Sequence, residues 1–161
     1  MGGTVRVITA GFVLGLGLGG FIDGIALHQI GQWHNMGSAI LPPHTMDAMS
    51  QNMRWDGWFH AATLLLTLIG VLMLWSEARR GEAPDRMSGL IGQMIFGWGV
   101  FNLVEGVINH HLLELHHVRD IPVHVPLYDW VFLAAGGVLL IVVGLAMASG
   151  ARSVGARPRI G

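Results

Sequence analysis

Residues 101–118 read FNLVEGVINHHLLELHHV, which begins as apolar helix and then places Glu105, His110, His111, His116 and His117 within thirteen positions. Whether this stretch is a soluble surface or the end of a membrane span decides the fold. The chain around it favours the membrane: of 161 residues 52% are hydrophobic and 12% charged, and mean hydropathy is +0.56. Lysine is absent, so all nine basic residues are arginine, and the net charge is −1. A phosphate-binding face needs clustered positive charge, so a nucleic-acid partner is excluded. With no cysteine, disulfides, thiolate metal sites and thiol switches are excluded too.

Four segments are apolar for long enough to cross a hydrocarbon core of about 30 Å: Val7 to Ile30, Asp56 to Trp75, Met87 to Leu113, and Asp129 to Ala148. Lipid cannot satisfy backbone hydrogen bonds, so each is expected to be a helix. The expected fold is an all-α, integral membrane four-helix bundle forming one domain over residues 1–161, with the lipid bilayer as its surroundings and 152–161 as a flexible tail. Arg6, Arg79, Arg80, Arg86, Arg152, Arg157 and Arg159 flank one side, against only Arg54 and Arg119 on the other. That bias places both termini in the cytoplasm. Gly11, Gly15 and Gly19 recur every four residues, a spacing that admits close helix approach and makes a homodimer a reasonable expectation.

Sliding the chain against itself aligns DGIALHQIGQWH, 23–34, without a gap to EGVINHHLLELH, 105–116. Acid, glycine, histidine five places after the acid and histidine six further on recur in both. WDGWFHAA, 55–62, aligns more weakly to YDWVFLAA, 128–135, with Leu133 in place of His60. The bundle therefore reads as a duplicated two-helix unit with a pseudo-two-fold axis along the membrane normal. Counted from the inner arginines at 1.5 Å per residue, Asp23, His60 and Glu105 share a layer about 25 to 29 Å deep. His28, Asp56, His110 and Asp129 come about one turn higher. His34, His116 and His117 sit beyond, where the helices should end.

An acid within a span is costly and calls for a partner, and no basic residue lies at the depth of Asp23 and Glu105. Histidine and carboxylate suit copper, zinc or iron, and bundle cores draw metal ligands from facing helices. The expected metal residues are Asp23, His28, Asp56, His60, Glu105 and His110, with His116 and Asp129 in supporting or access positions, on the extracytoplasmic side. Asp56 and His60, four apart, share a helical face. Asp23 and His28, like Glu105 and His110, are five apart and fall about 140° apart on a regular helix. A π-bulge at Gly24 or Gly106 would bring each pair together; otherwise His28 and His110 serve a second site or cap the bundle.

Met36, Met46, Met49 and Met53 share the first outer loop with His34 and His44, and thioether with imidazole favours copper(I). Met46, Met49 and Met53 also fit the stripe of a short interfacial helix after the N-cap Thr45. Copper is thus favoured over zinc or iron. Trp33, Trp55, Trp58 and Trp130 fit an interfacial aromatic belt.

The stretches GGFIDGIALHQIGQWHNM, WDGWFHAA, WGVFNLVEGVINHHLLELHHVR and YDWVFLAAGG, spread from Gly11 to Gly150, resemble the bacterial membrane-protein family named domain of unknown function 2243. The resemblance implies a small four-helix protein of the bacterial inner membrane and no particular activity. The family is similar in genomic setting to copper-handling cytochrome oxidase assembly factors, which implies those proteins as partners. Asp56 and His60 resemble part of the Asp-x-x-x-His copper motif of membrane monooxygenase subunits. Metal binding for delivery, storage or sensing is the leading expectation. The alternative is a membrane metallo- or haem-dependent oxidoreductase, with haem b held by a pair such as His60 and His110. Ion conduction ranks last, because GFVLGLGLGG and LLLTLIGVLMLW carry no polar path onward.

Overall fold

The computed structural model describes residues 8–155. Among the described residues, four helices are long and apolar enough to cross a membrane: α1 (Ala10–Ile30), α2 (Met46–Arg79), α3 (Met87–Leu112) and α4 (Pro126–Gly150). No strand occurs among the described residues. The second helix begins ten residues before the expected Asp56, because Thr45 caps it by accepting the Ala48 N–H. Met46, Met49 and Met53 therefore belong to the first turns of α2 and not to a separate interfacial helix.

Helix α1 packs on both α2 and α3, and α4 packs on α3. The row is α2–α1–α3–α4, in which α1 and α3 run parallel at the centre. Small residues set that contact. A Cβ on Gly15 would collide with the Met94 carbonyl, and one on Gly97 with the Phe12 carbonyl. The glycine spacing of α1 is thus spent inside the chain, Gly11 against Gln93 and Gly19 against Trp98. Outer helices carry the exposed apolar side chains, among them Leu65, Leu68 and Leu72 on α2 and Val138, Leu139 and Val142 on α4. Trp58 and Trp130 are exposed with them, whereas Trp33 stacks on Tyr128 and Trp55 lies against Gly37.

The last seven residues of α1, Gly24–Ile30, are π-helical, and so are the last seven of α3, Gly106–Leu112. Both segments end alike, with Gly31 N–H donating to Ala26 O and Leu113 N–H to Ile108 O, each at 2.8 Å. One residue later Gln32 and Glu114 adopt left-handed φ of 49° and 48°. The wide turn adds the residue per turn that a five-residue spacing needs in order to align with itself. A third π-helical segment, Phe132–Leu139, interrupts α4, while α2 has none. Asp129 stands 73 residues after Asp56, but Gly137, which meets α3 at Gly99 as Thr63 meets α1 at Gly17, stands 74 after Thr63. The π segment takes up that extra residue.

The connections after α1 and α3 hydrogen-bond to each other. Ala39 N–H donates to Leu115 O at 3.0 Å and Ile121 N–H to Trp33 O at 2.8 Å. Ser38 Oγ donates to Asp120 Oδ2 at 2.6 Å. This pair of crossed loops closes one end of the bundle over the polar cluster.

Candidate metal centre

Because the π turns rotate them into line, His28 Nε2 lies 3.3 Å from Asp23 Oδ2 and His110 Nε2 lies 3.3 Å from Glu105 Oε1. The outer nitrogens turn to the neighbouring helices. His28 Nδ1 lies 3.0 Å from Asp56 Oδ1, and His110 Nδ1 lies 3.4 Å from Asp129 Oδ1. Both aspartates are oriented from the loops: Asp56 accepts the Met36 N–H and Asp129 accepts the Val118 N–H, each at 2.8 Å.

Two loop histidines complete the set. His34 Nδ1–H donates to Val118 O at 2.9 Å, and His116 Nδ1–H donates to Met36 O at 3.1 Å. A carbonyl only accepts, so in both rings Nδ1 carries the proton and a neutral ring offers its lone pair at Nε2. Burial, then the neighbouring His116 and His28, hold His34 well below the ordinary histidine range, so it is neutral at pH 7. Its Nε2 is buried and has no hydrogen-bond partner. His116 Nε2 instead meets Glu105 Oε1 at 2.9 Å. Asp23, one methylene shorter than Glu105, makes no such contact with His34.

Four imidazoles therefore form one buried group. His34 and His116 stack with centroids 4.5 Å apart, His28 is 4.3 Å from His34, and His110 is 5.0 Å from His116. One ligand atom from each of His28, His34 and His116 can be chosen within 4.8 Å of the others, and the same holds for Glu105, His110 and His116. Asp23, Asp56, Glu105 and Asp129 are all buried, and every ion-pair contact described for them is to a histidine. Buried carboxylates without lysine or arginine require protons, imidazolium or a metal cation to balance them.

Seven of the eight expected metal residues thus meet at one end of the bundle. His60 does not join them. Its Nδ1–H donates to the Asp56 carbonyl at 2.7 Å and its Nε2 faces Gly24, because the i to i+4 relation with Asp56 is used by the backbone carbonyl and not by the carboxylate. His60 lines a cleft of about 740 Å³, together with His28, His44, Met49, Met53 and Asp56. His34 is the central residue absent from the expected metal residues, although it stands in the repeat. Its signal was present, since it stands where His116 stands in the other half of the alignment, eleven residues after the acid.

At the edge of the second half, Asp129 Oδ2 faces His117 Nδ1 at 3.2 Å and His124 Nε2 at 3.1 Å. In the first half the matching oxygen, Asp56 Oδ2, accepts the Asn35 side-chain amide at 2.8 Å. Burial, then His124, lower the pKa of His117 below the ordinary histidine value.

Four apolar helices with a polar cluster closed over by loops at one end define a multi-pass membrane protein with a buried histidine–carboxylate centre. The chain belongs to the family described as "Predicted membrane protein (DUF2243)", which matches residues 10–151. No curated protein and no solved structure matches it.

Proposed function

We propose that this protein binds a transition-metal ion in the buried cluster of His28, His34, His110 and His116, with Asp23 and Glu105 as carboxylate ligands. The observation that carries the reading is the His34 ring: Nδ1–H is fixed on a carbonyl, and the neutral Nε2 is left buried and unpartnered among other imidazoles. A ligating histidine typically donates its other N–H to a carbonyl or carboxylate, which fixes the tautomer and aims the lone pair. In this role Asp56 and Asp129 orient His28 and His110, and the Met36 and Val118 carbonyls orient His116 and His34.

Copper is favoured over zinc or iron. Imidazole suits all three, and the adjoining cleft adds the thioethers of Met49 and Met53 beside His44, donors that select copper(I). The cleft reaches His28 and Asp56 and supplies an access route to the cluster. Binding for delivery or sensing, with the two halves arising from a duplicated two-helix unit and the site on the extracytoplasmic side of the bacterial inner membrane, accounts for a polar centre with no polar path through the apolar ends of the helices. The haem alternative loses support, since His60 turns to Gly24 while His110 faces into the imidazole group.

Titrating detergent-purified protein with copper(I) under reducing conditions tests the reading. Wild type is expected to take up at least one ion per chain, and His34→Gln is expected to bind it at least tenfold more weakly; equal uptake by both contradicts the proposal.

A further inference from the structure

The two halves of the molecule differ at one place where their surroundings otherwise correspond. Asp56 and Asp129 each present one oxygen to a buried histidine and a loop N–H, and the other oxygen outward. In the first half the outward oxygen is satisfied by the Asn35 amide. In the second, the position of Asn35 is taken by His117, and His124 joins it from the loop. The two imidazoles stack at 3.9 Å with 14° between their planes, and both aim a ring nitrogen at the same carboxylate oxygen.

We infer that His117, His124 and Asp129 form a second, outer site for a divalent transition-metal cation, separate from the buried cluster. One ligand atom from each of the three can be chosen within 4.8 Å of the others. Two imidazoles and one carboxylate, with a fourth position open to water, form a donor set used for zinc and copper(II). Side-chain exposure falls from 40% at His124 to 17% at His117 and 3% at Asp129, so an ion reaches the site from outside the bundle. His117 Nδ1 is buried and faces Asp129 Oδ2 at 3.2 Å outside hydrogen-bond geometry, so no hydrogen bond competes for that nitrogen. Because the inner oxygen of Asp129 faces His110, one carboxylate lies between an ion held here and the buried cluster. This outer site does not depend on the buried one being a metal site.

The test uses full-length protein in detergent, Zn²⁺ as the probe, and titration calorimetry backed by elemental analysis. His117→Asn reproduces the first-half arrangement, in which an amide satisfies the carboxylate, and His124→Ala changes an exposed side chain, so both are expected to fold. Each should bind one Zn²⁺ equivalent fewer than wild type, whereas His34→Gln should retain that equivalent. If His117→Asn and His124→Ala bind as many ions as wild type, the outer site is overturned. If wild type binds a single Zn²⁺ that is lost in these two variants and kept in His34→Gln, the outer site stands and the buried cluster takes no zinc, so that the copper(I) titration alone decides the buried-site reading. A wild type that binds no Zn²⁺ overturns the outer site.

Discussion

His34 and His116 lie stacked, 11° from parallel, and each donates its Nδ1–H to the carbonyl two residues beyond the other, His34 to Val118 and His116 to Met36. The exchange ties the two loops together and points both Nε2 atoms inward. Met36 and Val118 in turn donate their own N–H groups to Asp56 and Asp129. A single residue in each loop thus positions a loop histidine and the carboxylate behind a helix histidine.

Asp56 orients His28 and is itself held by Met36 and Asn35. Replacing it by asparagine keeps the shape and removes the charge that raises ligand basicity. Asp56→Asn is expected to weaken copper binding about 10- to 100-fold with little loss of helix content, measured by competition with a chromophoric chelator and by circular dichroism.

Acidification should uncover the neutral state of His34. Its proton affinity is lowered in the folded protein, so below the ordinary pKa of 6.5 the unfolded chain binds a proton that the folded chain refuses. Stability from this residue is full above that pH and declines as the pH falls below it. The difference in thermal midpoint between metal-free wild type and His34→Gln is therefore expected to shift against wild type from pH 7 to pH 5. A difference independent of pH would show that His34 is not held neutral.

The helix contact at the centre of the row depends on two glycines. Gly15→Ala and Gly97→Ala each drive a methyl group into a backbone carbonyl of the facing helix and are expected to cost about 1 to 3 kcal/mol. Gly57→Ala, where a Cβ would meet nothing within 4 Å, is expected to stabilise by about 0.5 to 1 kcal/mol. Tryptophan fluorescence during thermal unfolding in detergent distinguishes them.

Gln32 and Glu114 occupy left-handed backbone just after the π turns. Such a conformation costs a non-glycine residue roughly 1 to 2 kcal/mol. Gln32→Gly and Glu114→Gly are both expected to raise the thermal midpoint, offset in part by the added freedom of the unfolded chain. A fall in either case would mean that the side chain stabilises the turn.

Most of the architecture was legible because membrane spans announce themselves by length and apolarity, and because the acid–glycine–histidine pattern occurs twice. The five-residue spacing even pointed to the π turns, since no regular helix brings Asp23 to His28. What escaped was the contribution of the loops. A count of residues along helix axes puts His34 beyond the membrane, and no helical periodicity shows that the crossed loops fold back to deliver it to the centre. His60 misled for the opposite reason: sharing a helical face with Asp56 does not say whether the carboxylate or the carbonyl of that residue will take the proton. The N-cap Thr45 was legible, but not that its helix runs unbroken into the second span, because the residues from Met46 to Asp56 are mostly polar and lie outside the apolar stretch, so hydropathy marks the crossing and not the helix.

The central claim is that the buried histidines hold a metal ion, and elemental analysis of the detergent-purified protein, after loading with copper and removal of excess, tests it most directly. Wild type is expected to retain at least one copper per chain and the His34→Gln, His116→Gln double variant less than a tenth of that, with the helix content of both unchanged. A wild type that retains no copper, zinc or iron after loading, or a folded double variant that retains as much as wild type, would contradict it.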